Sequence, residues 1–440
     1  MVQLINGKMD EITLSRWHRF SRFCLLCVSG LLDNFWVRSM KISEEVLCLN
    51  DELIALRRDF HQHPEIGGQE FRTAEVVEKY LQDLGLETQR MADTGVVATL
   101  YGNRPNGKTI LLRADMDALF VEEENEVPYK SVNPGVMHAC GHDGHTAMLL
   151  VAAKVLCARK DELKGNVKFV FQPNEEVGAA HLMVRDGVLQ NPSVDASFGL
   201  HLWSPIRSGV IGIKSGSVMA EMYNFKITLV GKDGHTSAPE ASVDPIICAA
   251  NIIQSFQTVQ TREISSLKPT NIMFGKIQAG TSSNIIPQKL EMEGSLRYLY
   301  DGGENSEENP RKRMERIVKS VCEAHRIDGK IEFEVSNYIL INDEKIIDFI
   351  NSDVVPKMEI THNEIQAYQC LGGEDFSEYS NHNNIPGAFL FIGVGNEEKK
   401  TDRPHHSSTF NIDEDCLKIG VELFKNICFA YFDKMEGEEC

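Results

Sequence analysis

One stretch, GVMHACGHDGHT at residues 135–146, places three histidines, a cysteine and an aspartate in a short glycine-bearing segment. Such a density of nitrogen, sulfur and oxygen donors suggests a metal site. Gly141 lets the backbone turn so that Cys140 and His142 can reach one ion. The alternative is a polar loop that caps the apolar helix-forming run after it, with Asp143 as the N-cap. The cluster offers only two or three ligands, so a metal site needs donors from elsewhere in the chain.

Further donors recur where apolar segments end. The sequence predicts buried strands over Thr109–Arg113, Gly165–Phe171, Ala196–Leu200 and Ala388–Val394. The donors that follow these strands are, in order, Asp115 and Asp117, Glu175 and Glu176, His201, and His405 and His406. In open α/β sheets, ligand-binding groups collect at the carboxyl ends of the strands. The sequence therefore predicts an α/β fold, with a mainly parallel sheet flanked by helices and one site at its carboxyl edge.

The order of elements changes in the middle of the chain. A glycine-rich stretch at 209–217 precedes a pattern of strand, helix, strand, strand, helix and strand. This βαββαβ order is the ferredoxin-like split unit. We therefore predict a catalytic domain from 40–216 and 337–440, interrupted by an inserted lid and dimerisation domain at 217–336, called the insert below. Residues 1–39 are predicted to be a dispensable extension, because Met40 precedes the first patterned helix.

Three polar residues of the insert stand out. His235 lies in the tight loop GKDGHTSAP at 231–239, and Asn284 lies in the polar loop GTSSNIIP at 280–287. Arg297 lies near the end of a predicted strand. Taken singly, each of the three fits a turn residue or a surface charge better than a site residue.

Bulk properties narrow the class of protein. The formal net charge is −19, from 64 acidic and 45 basic residues, which argues against nucleic-acid or anionic-membrane partners. No apolar run approaches the roughly 20 residues that span a bilayer. The 11 cysteines are odd in number and dispersed, which fits a reducing compartment such as the cytoplasm better than a disulfide framework.

Nine motifs together resemble one known family. They are HPEIGGQEFRT, LLRADMDAL, GVMHACGHDGHTAMLL, FQPNEE, FGLH, GKDGHTSAP, SNIIP, GEDF and HHSSTF, and they run through residues 43–432. The chain resembles the dinuclear metallo-amidohydrolases of the aminoacylase and carboxypeptidase clan. The carboxypeptidase branch usually has an aspartate at the position of Cys140. With a cysteine there, the chain resembles the branch of hippurate hydrolase and auxin–amino acid conjugate hydrolases.

The resemblance implies a role for each motif residue. Cys140 would bridge two metal ions, and the remaining ligands would be His142, Glu176, His201 and His406. Glu175 would be the general base, and Asp117 would orient a ligand. His235 would stabilise the oxyanion, often from the partner subunit of a homodimer or a dimer of dimers, and Asn284 and Arg297 would contact the substrate. The thiolate and imidazoles suit zinc, cobalt or nickel, and the resemblance also allows manganese.

The activity expected from this resemblance is metal-dependent hydrolysis of N-acyl amino acids, such as hippurate or related conjugates. A dipeptidase and an N-acetyl-diaminopimelate-type deacetylase use the same chemistry and stay open as alternatives. An alternative of another class is a metal-binding protein without catalysis. The departures Phe120, Gly373 and Ser408 remove no predicted ligand, but they leave the substrate preference open.

Overall fold

The computed structural model describes residues 40–439, so the predicted dispensable extension at 1–39 lies outside the described residues. Within the described range, no helix is both long enough and apolar enough to cross a membrane.

Residues 44–219 contain five α-helices and seven strands. The helices are α1 (Glu44–Leu47), α2 (Asn50–Gln62), α3 (Phe71–Asp83), α4 (His142–Ala158) and α5 (Ala180–Arg185). The strands are β1 (Thr88–Met91), β2 (Gly95–Tyr101), β3 (Thr109–Asp115), β4 (Asn166–Gln172), β5 (Ala196–Arg207), β6 (Ile211–Gly212) and β7 (Gly216–Met219).

The insert and the last part of the chain follow. The insert contains β8 (Glu221–Val230), β9 (Gly234–His235), α6 (Pro245–Thr258), β10 (Thr270–Ala279), β11 (Ile285–Ile286), β12 (Lys289–Tyr298), α7 (Pro310–His325) and β13 (Asp328–Asn337). After it come β14 (Leu340–Asn342), α8 (Glu344–Phe349), β15 (Ile365–Gln366), β16 (Gly387–Gly395) and α9 (Leu417–Glu439).

The large sheet has the strand order β1-β2-β4-β3-β5-β16-β6-β15. Its four central strands, β4, β3, β5 and β16, pair in parallel. Every residue of β3 and of β4 is buried, as expected for parallel strands that are covered on both faces. The outer pairs β1–β2, β2–β4 and β16–β6 are antiparallel. The predicted mainly parallel sheet is therefore confirmed, with antiparallel additions toward its edges.

Helix α4 carries the donor-rich loop into the core. Its residues from His142 to Ala153 are all buried, and a helix that is apolar on all sides belongs in a protein interior. Gly141, not Asp143, is the N-cap, and its φ of +98° is the left-handed conformation that glycine adopts without steric cost. A Cβ on Gly144 would lie 2.4 Å from Leu202 Cδ1, so glycine permits the close packing of α4 on β5.

The insert forms a separate four-stranded antiparallel sheet of order β10-β12-β8-β13, which is the ferredoxin-like arrangement. Alternate residues of β8, from Tyr223 to Leu229, are buried against α6 and α7. Each helix begins with a proline after a capping side chain: Asp244 accepts a hydrogen bond from the Ile246 amide, and Asn309 accepts one from the Lys312 amide. The insert therefore has its own hydrophobic core.

Two local predictions were wrong. The first patterned helix, which the sequence predicts after Met40 as one helix, is two helices, α1 and α2, with a break at Cys48 and Leu49. The strand predicted to end before His201 continues to Arg207, because β5 stays paired with β16 beyond that histidine. His201 thus projects from within a strand, whereas Asp115 occupies the last position of β3.

Candidate metal centre and active site

Donor side chains from four segments of the chain converge at the carboxyl end of the parallel strands. Among the described residues, five groups of three donors have ligand atoms within 4.8 Å of one another, and two of these groups share Cys140. The first group is Cys140, His142 and His201, and the second is Cys140, Glu176 and His406. Because Cys140 belongs to both groups, the arrangement fits two neighbouring cations that share one thiolate. His138 and His63 belong to neither group.

His142 is oriented by Asp117. Its Nδ1 lies 2.9 Å from the Asp117 carbonyl oxygen and 3.2 Å from Asp117 Oδ1. Nδ1 therefore donates its hydrogen, and the lone pair is on Nε2. The other carboxylate oxygen of Asp117 accepts a hydrogen bond of 3.1 Å from the Glu176 amide. One aspartate thus positions a residue of each donor group, as partners behind metal ligands commonly do.

His201 presents an acceptor nitrogen for a similar reason. Its Nδ1 donates to the Leu202 carbonyl at 2.8 Å, so Nε2, which lies 3.8 Å from Cys140 Sγ, carries the lone pair. Burial holds the pKa of His201 well below its usual value, and the nearby His145 and His405 rings act in the same direction. A neutral imidazole is the form that binds a metal ion.

His145 supports the site from behind. The Leu202 amide donates to its Nε2 at 2.8 Å, which leaves the hydrogen on Nδ1. That nitrogen donates to Asp115 Oδ1 at 2.6 Å. His145 is therefore held on both sides by protein groups.

The two histidines of the last motif have different chemistry. The Ser204 amide donates to His405 Nε2 at 3.2 Å, so the hydrogen of His405 is on Nδ1, which faces Cys140 Sγ at 3.7 Å. His405 also stacks on Trp203, with ring centroids 4.3 Å apart. His406 Nε2 lies 3.3 Å from Glu176 Oε1. Its φ of +63° is uncommon for a residue with a side chain. His406, and not His405, thus belongs to a donor group, together with Cys140 and Glu176.

The two adjacent glutamates face different partners. Glu175–Val177 is a turn of 3-10 helix that follows Asn174 in the left-handed conformation. Glu175 is buried and Glu176 is partly exposed toward His406. Burial raises the pKa of Glu175 well above its usual range, and the charges of Glu374, Glu176 and Asp375 raise it further. Glu175 therefore binds a proton more tightly than an exposed glutamate does.

A buried arginine lies beneath the site, and the sequence reasoning missed it. Arg113 on β3 forms ion pairs with Asp115 at 2.7 Å, Glu374 at 2.9 Å and Asp375 at 3.1 Å. We call these three acids the acid cluster. The signal was present, because a charged residue inside the apolar run Leu111–Ala114 needs buried partners. The partners Glu374 and Asp375 belong to the GEDF motif, which lies far away in the sequence.

The donors open onto a cavity of about 430 Å³ between the catalytic domain and the insert. Its lining consists of Cys140, Glu175, Glu176, His201, Trp203, Met219, Met222, Arg297, Ser336, Asn337, Gly372, Gly373, His405 and His406. A larger concavity of about 850 Å³ lies on the insert around Lys226, Lys276 and Glu332, and its lining includes none of these donors.

Of the three polar residues predicted in the insert, Arg297 alone lines the cavity. His235 lies in the short β9–β11 ribbon, opposite Ile285, and Asn284 directly precedes β11; both His235 and Asn284 are exposed. The Thr236 amide donates to the Asn284 carbonyl at 3.2 Å, and His235 Nδ1 is bonded to the Ser237 hydroxyl at 2.7 Å. Within this chain, therefore, neither of them is brought to the donor groups.

The residues present fit metal ions. His142 Nε2 is buried and has no hydrogen-bond partner among the described residues. Burial, with the charge of Glu176, raises the pKa of the Cys140 thiol, so an ionised thiolate there requires a compensating cation. An orphaned imidazole nitrogen beside such a thiol is the donor chemistry expected of a transition-metal site.

The chain belongs to the family described as peptidase family M20/M25/M40, whose model matches residues 111–430. The chain is 41% identical over 306 residues to an N-acyl-L-amino acid amidohydrolase of Geobacillus stearothermophilus, covering 68% of this chain and 81% of that protein. It is 38% identical over 400 residues to thermostable carboxypeptidase 2 of Saccharolobus solfataricus, covering 90% of this chain and 99% of that protein.

A solved structure is also similar. The YXEP protein of Bacillus subtilis, described as a dinuclear metal binding peptidase from the M20 family, superposes with a TM-score of 0.76 at 30% identity. The match covers 88% of this chain and 99% of that protein.

Proposed function

We propose that this protein hydrolyses the amide bond of N-acyl amino acids, giving a carboxylate and a free amino acid, with two divalent metal ions. The observation that carries the proposal is the pair of donor groups that share Cys140 beside a buried glutamate, Glu175, in one cavity. The similarity to an N-acyl-L-amino acid amidohydrolase supports the same reaction.

The proposed ligands are Cys140, His142, Glu176, His201 and His406. Bound ions would supply a nucleophile at neutral pH, by lowering the pKa of a water molecule from about 15.7 toward 7, and would polarise the substrate carbonyl. Zinc or manganese are our leading candidates, with cobalt or nickel possible, because one thiolate and several imidazoles suit these ions.

Glu175 is the proposed general base. One of its oxygens lies 4.0 Å from His142 Nε2, so the carboxylate borders the first donor group. It would take the proton from the attacking water and deliver it to the nitrogen of the leaving amine. The raised pKa described above favours a carboxyl group that can retain this proton between the two steps. General acid–base catalysis of this kind typically contributes about 10²–10⁴ in rate.

Arg297 is proposed to bind the carboxylate of the amino acid. Its guanidinium donates to the Leu371 carbonyl at 2.9 Å, and no ion pair with a carboxylate occurs among the described residues. Burial lowers the pKa of Arg297, which reflects the cost of holding this charge in the cavity wall without an anion. A substrate carboxylate would supply that anion.

His235 and Asn284 are proposed to act across a subunit interface. Both are exposed and neither lines the cavity of its own chain, so a homodimer or dimer of dimers could bring them to the site of a partner subunit. His235 would then stabilise the negative charge on the substrate oxygen. The free thiols of the described cysteines also agree with our proposal of a cytoplasmic location.

A second candidate function is cleavage of a peptide bond, which the similarity to a carboxypeptidase favours. A deacetylase of an acetylated diamino acid uses the same residues and is tested in the same way. A structural metal site without catalysis fits less well, because such sites are closed by four protein ligands. Here five donors would be shared between two ions.

The proposal is tested with the metal-reconstituted enzyme and the variant Glu175→Gln. We expect the variant to retain both metal ions, measured by elemental analysis, and to lose at least about 10²-fold in kcat. The substrate panel is N-acetylglycine, N-benzoylglycine, N-acetyl-L-phenylalanine and glycyl-L-phenylalanine. Glu332→Gln, an exposed glutamate of the insert, is the control and should keep full activity. Undiminished turnover by Glu175→Gln would rule out the assigned base.

A further inference from the structure

Two methionines line the cavity beside Arg297. Met222 on β8 is directly opposite Arg297 on β12, and Asn337 on β13 is directly opposite Met222. Directly paired residues of antiparallel strands project from the same face of a sheet and lie about 4.5–5.5 Å apart. The end of the insert's sheet therefore presents a cation, a thioether and an amide in one row to the cavity.

A double glycine lies under the two thioethers. A Cβ on Gly372 would lie 3.0 Å from Met219 Cε, and a Cβ on Gly373 would lie 2.4 Å from Met222 Sδ. Neither glycine has a positive φ, so the backbone does not require glycine at these positions. The missing side chains instead make room for the two methionine side chains, which we call the thioether wall.

The loop that carries this double glycine is tied to the insert at two points. The Leu371 carbonyl accepts the hydrogen bond from Arg297, and the Gly372 carbonyl accepts one of 2.9 Å from the Ala220 amide. These hydrogen bonds fix the loop relative to Arg297 and the thioether wall. The size of the side chain at position 373 therefore determines the space beside Met222.

We propose that the thioether wall of Met219 and Met222, with Gly373 as the residue that sets its depth, receives the apolar side chain of the substrate's amino acid. This inference rests on the proposed function and adds a substrate class to it. The substrate is an N-acyl amino acid with a bulky apolar side chain, aromatic or long and aliphatic, rather than an N-acylglycine.

The position of the thioether wall indicates that it contacts the amino-acid half of the substrate and not the acyl group. With the carboxylate at Arg297, the Cα atom and its side chain are the next groups along the molecule, and Met222 is the neighbouring residue of the row. The acyl group begins beyond the scissile nitrogen, so it lies farther from this row. Thioethers adapt to irregular shapes and make favourable contacts with aromatic rings, so the wall accepts apolar side chains of different outline.

The size of the cavity agrees with such a substrate. Its volume of about 430 Å³ is within the range of about 300–1,000 Å³ that is usual for small-molecule sites. Met219 is buried, and the ring of Trp203 continues the apolar lining on the side of His405.

The test compares N-acetyl-L-phenylalanine with N-acetylglycine as substrates of wild type and of Gly373→Ala. The added Cβ must displace the Met222 side chain, whose Sδ would lie 2.4 Å away, and the Asn337 amide, whose Oδ1 would lie 2.8 Å away; both line the cavity. We expect the ratio of the two kcat/KM values to fall about 10-fold or more, because one methylene in an apolar pocket is worth about 10–200-fold. Gly275→Ala is the matched control, since a Cβ there meets no atom within 4 Å.

Two further variants separate pocket shape from a general defect. Met222→Ala together with Asn337→Ala removes both side chains that the new Cβ would strike, so adding Gly373→Ala to that pair should leave the ratio unchanged. Inhibition by the products supplies a readout independent of turnover: L-phenylalanine should inhibit wild type more strongly than glycine, and Gly373→Ala should reduce that difference. N-Benzoylglycine serves as the acyl-side probe.

The outcomes are distinguishable. If wild type hydrolyses none of the three substrates, the proposed function fails and this inference fails with it. If wild type is active but Gly373→Ala leaves the phenylalanine-to-glycine ratio unchanged, only this inference is overturned. A change confined to the N-benzoylglycine rate would also overturn it, because the wall would then hold the acyl group.

Discussion

Replacing Arg113 by methionine tests whether this arginine is the counter-charge of the acid cluster. The side chain is about 1% exposed, so its charge is neutralised by protein groups rather than by water. The variant loses the bonds to Asp115, Glu374 and Asp375, and also the 2.8 Å bond from Arg113 Nε to Gln172 Oε1. Methionine fills much of the same volume, so the change is mainly one of charge and hydrogen bonding.

The expected magnitude follows from the buried charges that are left behind. Four hydrogen bonds involving charged groups, at about 1.5–3 kcal/mol each, would sum to about 6–12 kcal/mol. The loss should be smaller, because burial already raises the pKa of Glu374 to about 8 and that of Asp375 to about 6, so these acids can take up protons when Arg113 is removed. Removing one partner of a buried ion pair typically costs about 3–5 kcal/mol, and we expect that loss in the free energy of unfolding.

The assay is urea unfolding at pH 7 followed by circular dichroism. Arg58→Met is the matched control: Arg58 makes two bonds with Glu414, at 2.9 and 2.6 Å, but its side chain is 44% exposed. Such an exposed pair should contribute about 0–1 kcal/mol. If Arg113→Met costs no more than Arg58→Met, the assignment of the buried arginine as the counter-charge of the acid cluster is refuted.

Three other variants test the site and its electrostatics. Cys140→Ser should lower the metal content below two ions per chain, and full occupancy measured by elemental analysis would refute the shared thiolate. Asp117→Ala should weaken metal affinity or activity about 10–100-fold, because it removes the side-chain contacts to His142 and to the Glu176 amide, and metal titration checks this. Burial raises the pKa of Glu374 to about 8, above its value in an unfolded chain, so the folded protein binds the extra proton and its stability should fall as pH rises toward 8. Glu374→Gln should flatten this fall in unfolding experiments at pH 5 and pH 8, and an unchanged slope would contradict the shift.

Much of the fold could be predicted because its signals are local. The apolar runs at β3, β4 and β16 are continuous, which is typical of strands that are buried on both faces. The insert could be predicted from its different order of elements, and the structure shows the alternating burial along β8 that such a sheet requires. The prediction for β5 was wrong at its end, because the pairing with β16 that extends it to Arg207 depends on a strand nearly 200 residues away.

The sequence by itself determined which chemistry the chain can perform. Donor residues at the ends of successive apolar runs were sufficient to predict one site at one edge of a sheet, since parallel strands bring their carboxyl ends together. The tertiary structure decided what each donor contacts. The Ser204 amide donates to His405 Nε2, whereas His406 Nε2 faces Glu176 Oε1. The pairing of Arg113 with Glu374 depends on a contact across 261 residues.

The tertiary structure also decided which polar residues of the insert reach the cavity. Arg297 lines the cavity, whereas His235 lies exposed on a separate ribbon, although both come from loops or strand ends of the same domain. The physical reason is that motif spacing describes local geometry, whereas hydrogen-bond donors, counter-charges and pocket walls are supplied by residues distant in sequence. The stretch at 135–146 therefore identifies a metal site, and the fold around it determines what that site can bind.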